Sequence, residues 1–279
     1  MDGPTEDRQI IRYNEHKAQN IVDKVAVEEP LQILLSATQH SPPVNRKNIS
    51  ITMRTPGEDR VLAVGFLYSE GIINARNRIN VTQESDNQVL VEVAGSLDID
   101  LSHLERHFYA TSSCGVCGKA SLEAVRSICM PEWPAQSLSI SKSLILSLPE
   151  KMATAQATFN TTGGLHAVAL FDSTGLLVNL KEDVGRHNAL DKLIGTCILK
   201  ENERAMSLPL SSQILLLSGR ASFELIQKAV MAGIKVVLAI GAPSSLAISL
   251  AEDHDVTLIG FLKENRFNVY SGSKRLSLS

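Results

Sequence analysis

The 279-residue chain is poor in cysteine, has almost no net charge and contains no long apolar run. Each shortage closes off a class of protein. Four cysteines over this length are too few for the disulfide framework of a secreted scaffold. No stretch approaches the ~18 uninterrupted apolar residues of a membrane span. The amino-terminal residues carry Asp2, Glu6, Asp7, Arg8 and Arg12 and lack the apolar core of a secretory signal. A net charge of −3 provides no general basic field, so neither nucleic acid nor an anionic membrane is expected as a partner. Internal repeats and low-complexity tracts are also missing. These absences lead to the expectation of a cytoplasmic protein whose thiols stay reduced. What remains is ordinary globular material, 44% hydrophobic and 20% charged, long enough to bury a substantial core.

Along the chain, residues 1–24 read as a flexible leader. Residues 25–110 read as an α+β subdomain: apolar Leu31 to Leu35, alternating Asn48 to Arg54, a helix opening near Glu58 and stopping at Gly71, and alternating Val89 to Val93. Residues 111–134 hold a loop of small residues and a following helix, closed by the breaker Met130-Pro131-Glu132-Trp133-Pro134. Residues 135–279 read as an α/β domain. In it the strands His166 to Phe171, Leu176 to Leu180, Ile214 to Leu217, Val236 to Ile240 and Val256 to Phe261 are separated by helices or turns. Short apolar strands that do not alternate, separated by helices, predict a parallel sheet covered on both faces.

In such sheets ligands bind outside the carboxyl ends of the strands, and helix N-termini there present free N–H groups to anions. The segments after the strands carry suitable residues: Asp183, Arg186 and His187; Ser218, Gly219 and Arg220; Ser244; and Lys263, Glu264, Asn265 and Arg266. Each could be a mere turn and cap, with Ser222 and Ser244 as N-caps. Shared placement on one sheet edge would favour a phosphate-bearing ligand. Arg186, Arg220 and Arg266 suit bidentate phosphate contacts, or surface salt bridges. Asp183 and Glu224 suit pairing with those arginines. His166, preceded by Gly163 and Gly164, faces either the crevice or the core.

Cys129 and Cys197 sit in apolar helical patterns and read as inert core residues. Cys114 and Cys117 form a C-x-x-C pair within Thr111-Ser112-Ser113-Cys114-Gly115-Val116-Cys117-Gly118. Three chemistries use such a pair. A structural zinc site needs four ligands, and no second C-x-x-C or H-x-x-x-H partner exists. A redox disulfide would sit at a helix start inside a βαβ unit, whereas this pair lies in a glycine-flanked loop. A sulfur carrier needs a thiolate. A position before a helix and beside Lys119 can bring a thiol from ~8.5 toward ~7, making about half of it thiolate.

Several motifs together resemble the FdhD family of sulfur carriers required for formate dehydrogenase. They are Cys-Gly-Val-Cys-Gly-Lys from Cys114, Gly-Gly-Leu-His from Gly163, Glu-Asp-Val-Gly-Arg-His-Asn-Ala-Leu-Asp-Lys-Leu from Glu182 and Ser-Gly-Arg-Ala-Ser-Phe-Glu from Ser218. Ala-Pro-Ser-Ser-Leu-Ala from Ala242 and Gly-Phe-x-x-x-x-Arg-Phe-Asn-Val-Tyr from Gly260 complete the set, with Glu-Glu-Pro-Leu and Met-Arg-Thr-Pro-Gly-Glu-Asp upstream. The resemblance implies a three-layer α/β/α carboxyl-terminal domain similar to cytidine deaminase, behind a smaller α+β subdomain, in a homodimer. It implies that a cysteine desulfurase loads Cys114 with a persulfide, Cys117 assisting or resolving it. The sulfur would pass to a bis(molybdopterin guanine dinucleotide) cofactor of molybdenum or tungsten, destined for formate dehydrogenase. Phe261, Leu262, Lys263, Glu264, Asn265 and Arg266 would contact that cofactor, Asp183 and Glu224 would bind its guanine or pterin amino groups or else pair with the arginines, and a guanine nucleotide would mimic part of it. The zinc deaminase signature H-x-E…P-C-x-x-C is missing: His166-Ala167-Val168 has no Glu and Ser113 precedes Cys114. No metal of the protein's own is expected.

Overall fold

The computed structural model describes residues 3–15, 17–37, 39, 41, 43–95, 97, 131–133, 138–199 and 208–277. Cys114, Cys117, Cys129 and the helix expected over 119–129 lie outside the described residues.

Residues expected as a flexible leader form a hairpin instead, β1 (Thr5–Tyr13) paired antiparallel with β2 (Ala18–Ala26). Polar alternation without an apolar face hid these strands. Cross-strand ion pairs Lys24–Asp7 and Arg12–Asp23 join them, and Ile11 and Tyr13 stay exposed. The four-stranded sheet that follows runs in the order β4 (Val44–Arg54), β3 (Glu29–Ala37), β6 (Gln88–Ala94), β5 (Arg78–Ser85). Between β4 and β5 comes α1 (Asp59–Ser69). It ends where expected: Gly71 takes φ +71° and Ile72 N–H turns back to the Leu67 carbonyl at 2.8 Å.

The second sheet has six strands in the order β13 (Arg266–Ser271), β12 (Thr257–Lys263), β11 (Val236–Ala239), β10 (Ile214–Leu217), β8 (His166–Phe171), β9 (Leu177–Asp183). The short strand β7 (Ile140–Ser141) pairs separately with β14 (Leu276–Ser277). Helix α2 (Lys142–Ala155) puts Ile145, Leu148 and Met152 on one sheet face, against Ala167, Ala169, Phe171, Leu216 and Leu238. Helices α4 (Arg186–Leu199), α5 (Phe223–Met231) and α6 (Ser245–Asp253) cover the other, where Val168, Leu170, Leu215, Val237 and Leu258 point. Successive strand residues thus serve opposite cores, the three-layer arrangement expected.

One expectation needs correction. The sheet is mixed: only β10, β11 and β12 are mutually parallel, and β8, β9 and β13 run against their neighbours. Arg266 to Ser271 carried no expected element. It is an edge strand joined to β12 through the Glu264-Asn265 turn, and its exposed residues give it no apolar run to detect.

The two sheets meet through α1 and α4. A Cβ at Gly65 of α1 would lie 1.8 Å from the Asp191 carbonyl oxygen of α4, and one at Gly195 equally close to that of Val61. Two glycines therefore let the helix backbones touch. Buried ion pairs flank this contact: Lys192–Asp183 at 2.7 Å and Lys228–Asp191 at 2.9 Å. Arg54–Asp59 (2.8 Å) lies buried where α1 begins.

Candidate functional site

Antiparallel flanking strands concentrate the site. Because β8 opposes β10, His166 at its start lies at the carboxyl edge of the parallel strands, and β9 brings Asp183 back beside it as His166's register partner. The segments after β10 and β11 lie at that edge too, and are bonded together. Gly241 N–H donates to the Gly219 carbonyl at 2.9 Å, and Ser244 N–H to that of Ala221 at 3.0 Å. Phe261 N–H reaches the Gly241 carbonyl at 3.0 Å, and Lys263 pairs with Arg266 across the last hairpin. The four segments singled out from sequence therefore occupy one edge of one sheet, the condition set for a phosphate-bearing ligand.

Charge at this edge is left open. Among the described residues Arg186, Arg220 and Arg266 form no ion pair with a carboxylate, and the Arg186 Nε is shielded from water without a hydrogen-bond partner. Arg220, Lys263, Glu264, Asn265 and Arg266 are exposed. Phe261 is 41% exposed and takes φ +51° at a bulge in β12. Strain of about 1–3 kcal/mol is the usual cost of such a backbone. Leu262 at 1% exposure belongs to the α2-side core, so its side chain offers no ligand contact.

Asp183 also departs from expectation. At 0% exposure, it accepts hydrogen bonds from Thr55 N–H (3.1 Å), Gly185 N–H (2.8 Å) and the Asn188 amide (3.1 Å), besides its ion pair with Lys192. Its carboxylate ties the start of α4 to the chain before α1 and has nothing left for a ligand. Glu182 is occupied as well, accepting from Thr158 and Phe159 N–H at the start of α3 (Ala157–Thr162). Gly163, the left-handed cap of α3, and Gly164 are both exposed.

Two histidines border the crevice. His166 is half-buried, and its imidazole pKa is lowered by burial and then by Arg186. Gly219 leaves room beside it, since a Cβ there would stand 3.5 Å from His166 Nδ1. His187 is pushed down to about 3, by burial first and then by Lys228 and Arg186, and so is neutral in the fold. Its Nε2 lies 3.3 Å from Ser222 Oγ and 3.9 Å from Glu224 Oε2. Ser222 and Ser244 hold the same N-cap backbone, yet only Ser244 caps, accepting from Ala247 N–H at 3.3 Å. Ser218 turns inward, accepting from Ala167 N–H at 2.9 Å. Cys197 is buried with its thiol raised to about 11 by desolvation, an inert core residue as expected.

The FdhD/NarQ family model matches residues 27–277. The chain belongs to that family. Among its FdhD relatives is the sulfur carrier protein FdhD of Streptomyces coelicolor, 45% identical across 100% of this chain and 98% of the relative. The sulfur carrier protein FdhD of Picrophilus torridus is 46% identical, covering 92% of this chain and 93% of its own. A crystal structure of a candidate formate dehydrogenase accessory protein from Desulfotalea psychrophila superposes with a TM-score of 0.74, covering 98% of this chain and 99% of that one. At 22% identity that likeness speaks for the fold alone. No helix among the described residues is long and apolar enough to cross a membrane.

Sequence reading missed the Thr55, Asn188 and Lys192 partners of Asp183. Thr55 is separated from it by 128 positions, and nothing local signals the contact. The Ser222–His187 contact was equally hidden, since a serine before a helix reads as a cap.

Proposed function

We propose that this FdhD/NarQ protein is a cytoplasmic sulfur carrier that takes sulfur from a cysteine desulfurase as a Cys114 persulfide. Its acceptor is the bis(molybdopterin guanine dinucleotide) cofactor of molybdenum or tungsten, bound as substrate and destined for formate dehydrogenase. Relatives named sulfur carriers and the Cys114-x-x-Cys117 pair support the first half. The observation that carries the second is the open charge at the sheet edge. Three guanidinium groups without carboxylate partners among the described residues, one with its Nε shielded from water, fit a ligand that brings phosphates.

In loading, the Cys114 thiolate attacks the terminal sulfur of the donor's persulfide. The donor S–S bond breaks, its own thiolate leaves, and the sulfane sulfur moves to Cys114. In delivery, the Cys117 thiolate attacks Cys114 Sγ, and the terminal sulfur leaves as hydrosulfide for the cofactor. The Cys114–Cys117 disulfide so formed returns to the dithiol at the expense of a cellular dithiol reductant. A homodimer would allow the loop of one subunit to serve either crevice.

Mass spectrometry after incubation with a cysteine desulfurase and cysteine tests loading. One added sulfur at Cys114, lost in Cys114→Ala, is the expected result; an unmodified wild-type protein under competent conditions defeats the proposal. Formate dehydrogenase activity surviving in cells that carry only Cys114→Ala would instead favour a chaperone that holds the cofactor while the cysteines brace their loop.

A further inference from the structure

Two carboxylates near the crevice were candidates for reading the ligand's heterocycle, and the structure separates them. Asp183 is saturated by protein donors. Glu224, in the first turn of α5, has only 15% of its side chain exposed. Among the described residues it accepts no hydrogen bond, and its one charged-group neighbour is His187 Nε2 at 3.9 Å. That imidazole does not neutralise it. A carboxylate with most of its side chain packed away, its oxygens still open to solvent and no donor among the described residues, is free to accept from a ligand. Its surroundings sit at the same edge: His187 opens α4, Ser222 opens α5, and His166 lies on the strand between the two preceding strands.

Resting on the reading of this edge as a guanine-nucleotide site, we infer that Glu224 selects the base. Its two oxygens accept from the adjacent ring N–H and amino group that guanine and pterin rings share. Paired N–H donors of this kind match a carboxylate in bidentate fashion. Hypoxanthine keeps the ring N–H but lacks the amino group, and adenine presents neither donor in that arrangement. Such bases leave Glu224 short of partners, which is how a polar site rejects an isostere.

Titration calorimetry of the full chain with GDP, IDP and ADP tests this without any variant. GDP should bind tighter than IDP by about tenfold or more, the scale of one hydrogen bond to a charged group. Glu224→Gln should bring GDP down to within about threefold of IDP, with IDP weakened less than GDP and ADP affinity, which needs no bond to Glu224, unchanged as the report that the variant folds. Equal GDP and IDP affinities in the wild type overturn the role of Glu224 but leave the phosphate-binding edge intact. A GDP preference that survives Glu224→Gln does the same. Failure of all three nucleotides to bind overturns the nucleotide reading of the edge, and this inference with it.

Discussion

The α1–α4 contact and the carboxyl edge of the six-stranded sheet use the same kinds of side chain for opposite ends. At the contact the buried charges are paired: Lys192 meets Asp183 and Lys228 meets Asp191, with glycines letting the backbones touch. At the edge, close after Asp183, Arg186 has no carboxylate partner among the described residues, and neither do Arg220 and Arg266. Saturated charge makes a scaffold, and unsatisfied charge makes a binding surface. Asp183 shows the boundary between them. It sits in the stretch that carries the site residues, yet works for the scaffold.

The comparison breaks most sharply at the helix contact. Gly65→Leu should remove more than about 4 kcal/mol, or prevent folding, because its Cβ alone would sit 1.8 Å from a backbone oxygen. Chemical denaturation measures this, and a loss below 1 kcal/mol would mean the helices part freely. Lys192→Met, which leaves Asp183 buried and unpaired, should cost about 3–5 kcal/mol in the same assay. The arginines should behave in the opposite way. Arg186→Ala and Arg266→Ala should change stability by no more than about 0.5 kcal/mol. Each should weaken GDP binding by about tenfold, and the loss should shrink as salt rises. Stability losses like that of Lys192→Met would make these arginines scaffold too.

A further difference concerns pH. His187 is held down to about 3 against an ordinary 6.5, so the fold keeps it neutral while the unfolded chain takes up a proton. Stability should therefore decline as pH falls from 6.5 toward 3, with no contribution from this group above that window. Thermal unfolding of His187→Gln should show a shallower decline than the wild type; parallel curves would show that His187 protonates freely in the fold.

How much of this was legible depended on range. The helix from Asp59, the strands over 214–217 and 236–239 and the candidate segments after them could be read because apolar period and turn chemistry are local. The amino-terminal hairpin could not, because strands facing water need no apolar face, and β13 gives only Phe267 and Tyr270 to the cores. At the site, Arg186, Arg220 and Arg266 were named correctly as charges at strand ends, but whether each had a partner was unreadable. Leu262 followed its neighbours into the expected ligand set and turned out to point into the core.

By itself the sequence determined the family, the cysteine pair and the chemistry available at each strand end, since residue types and short spacings carry these. Only the tertiary structure decided which charges remain open. Pairing is a property of distance in space, and folding brings Thr55, Lys192 and Asn188 to Asp183 while leaving Glu224 beside a neutral imidazole.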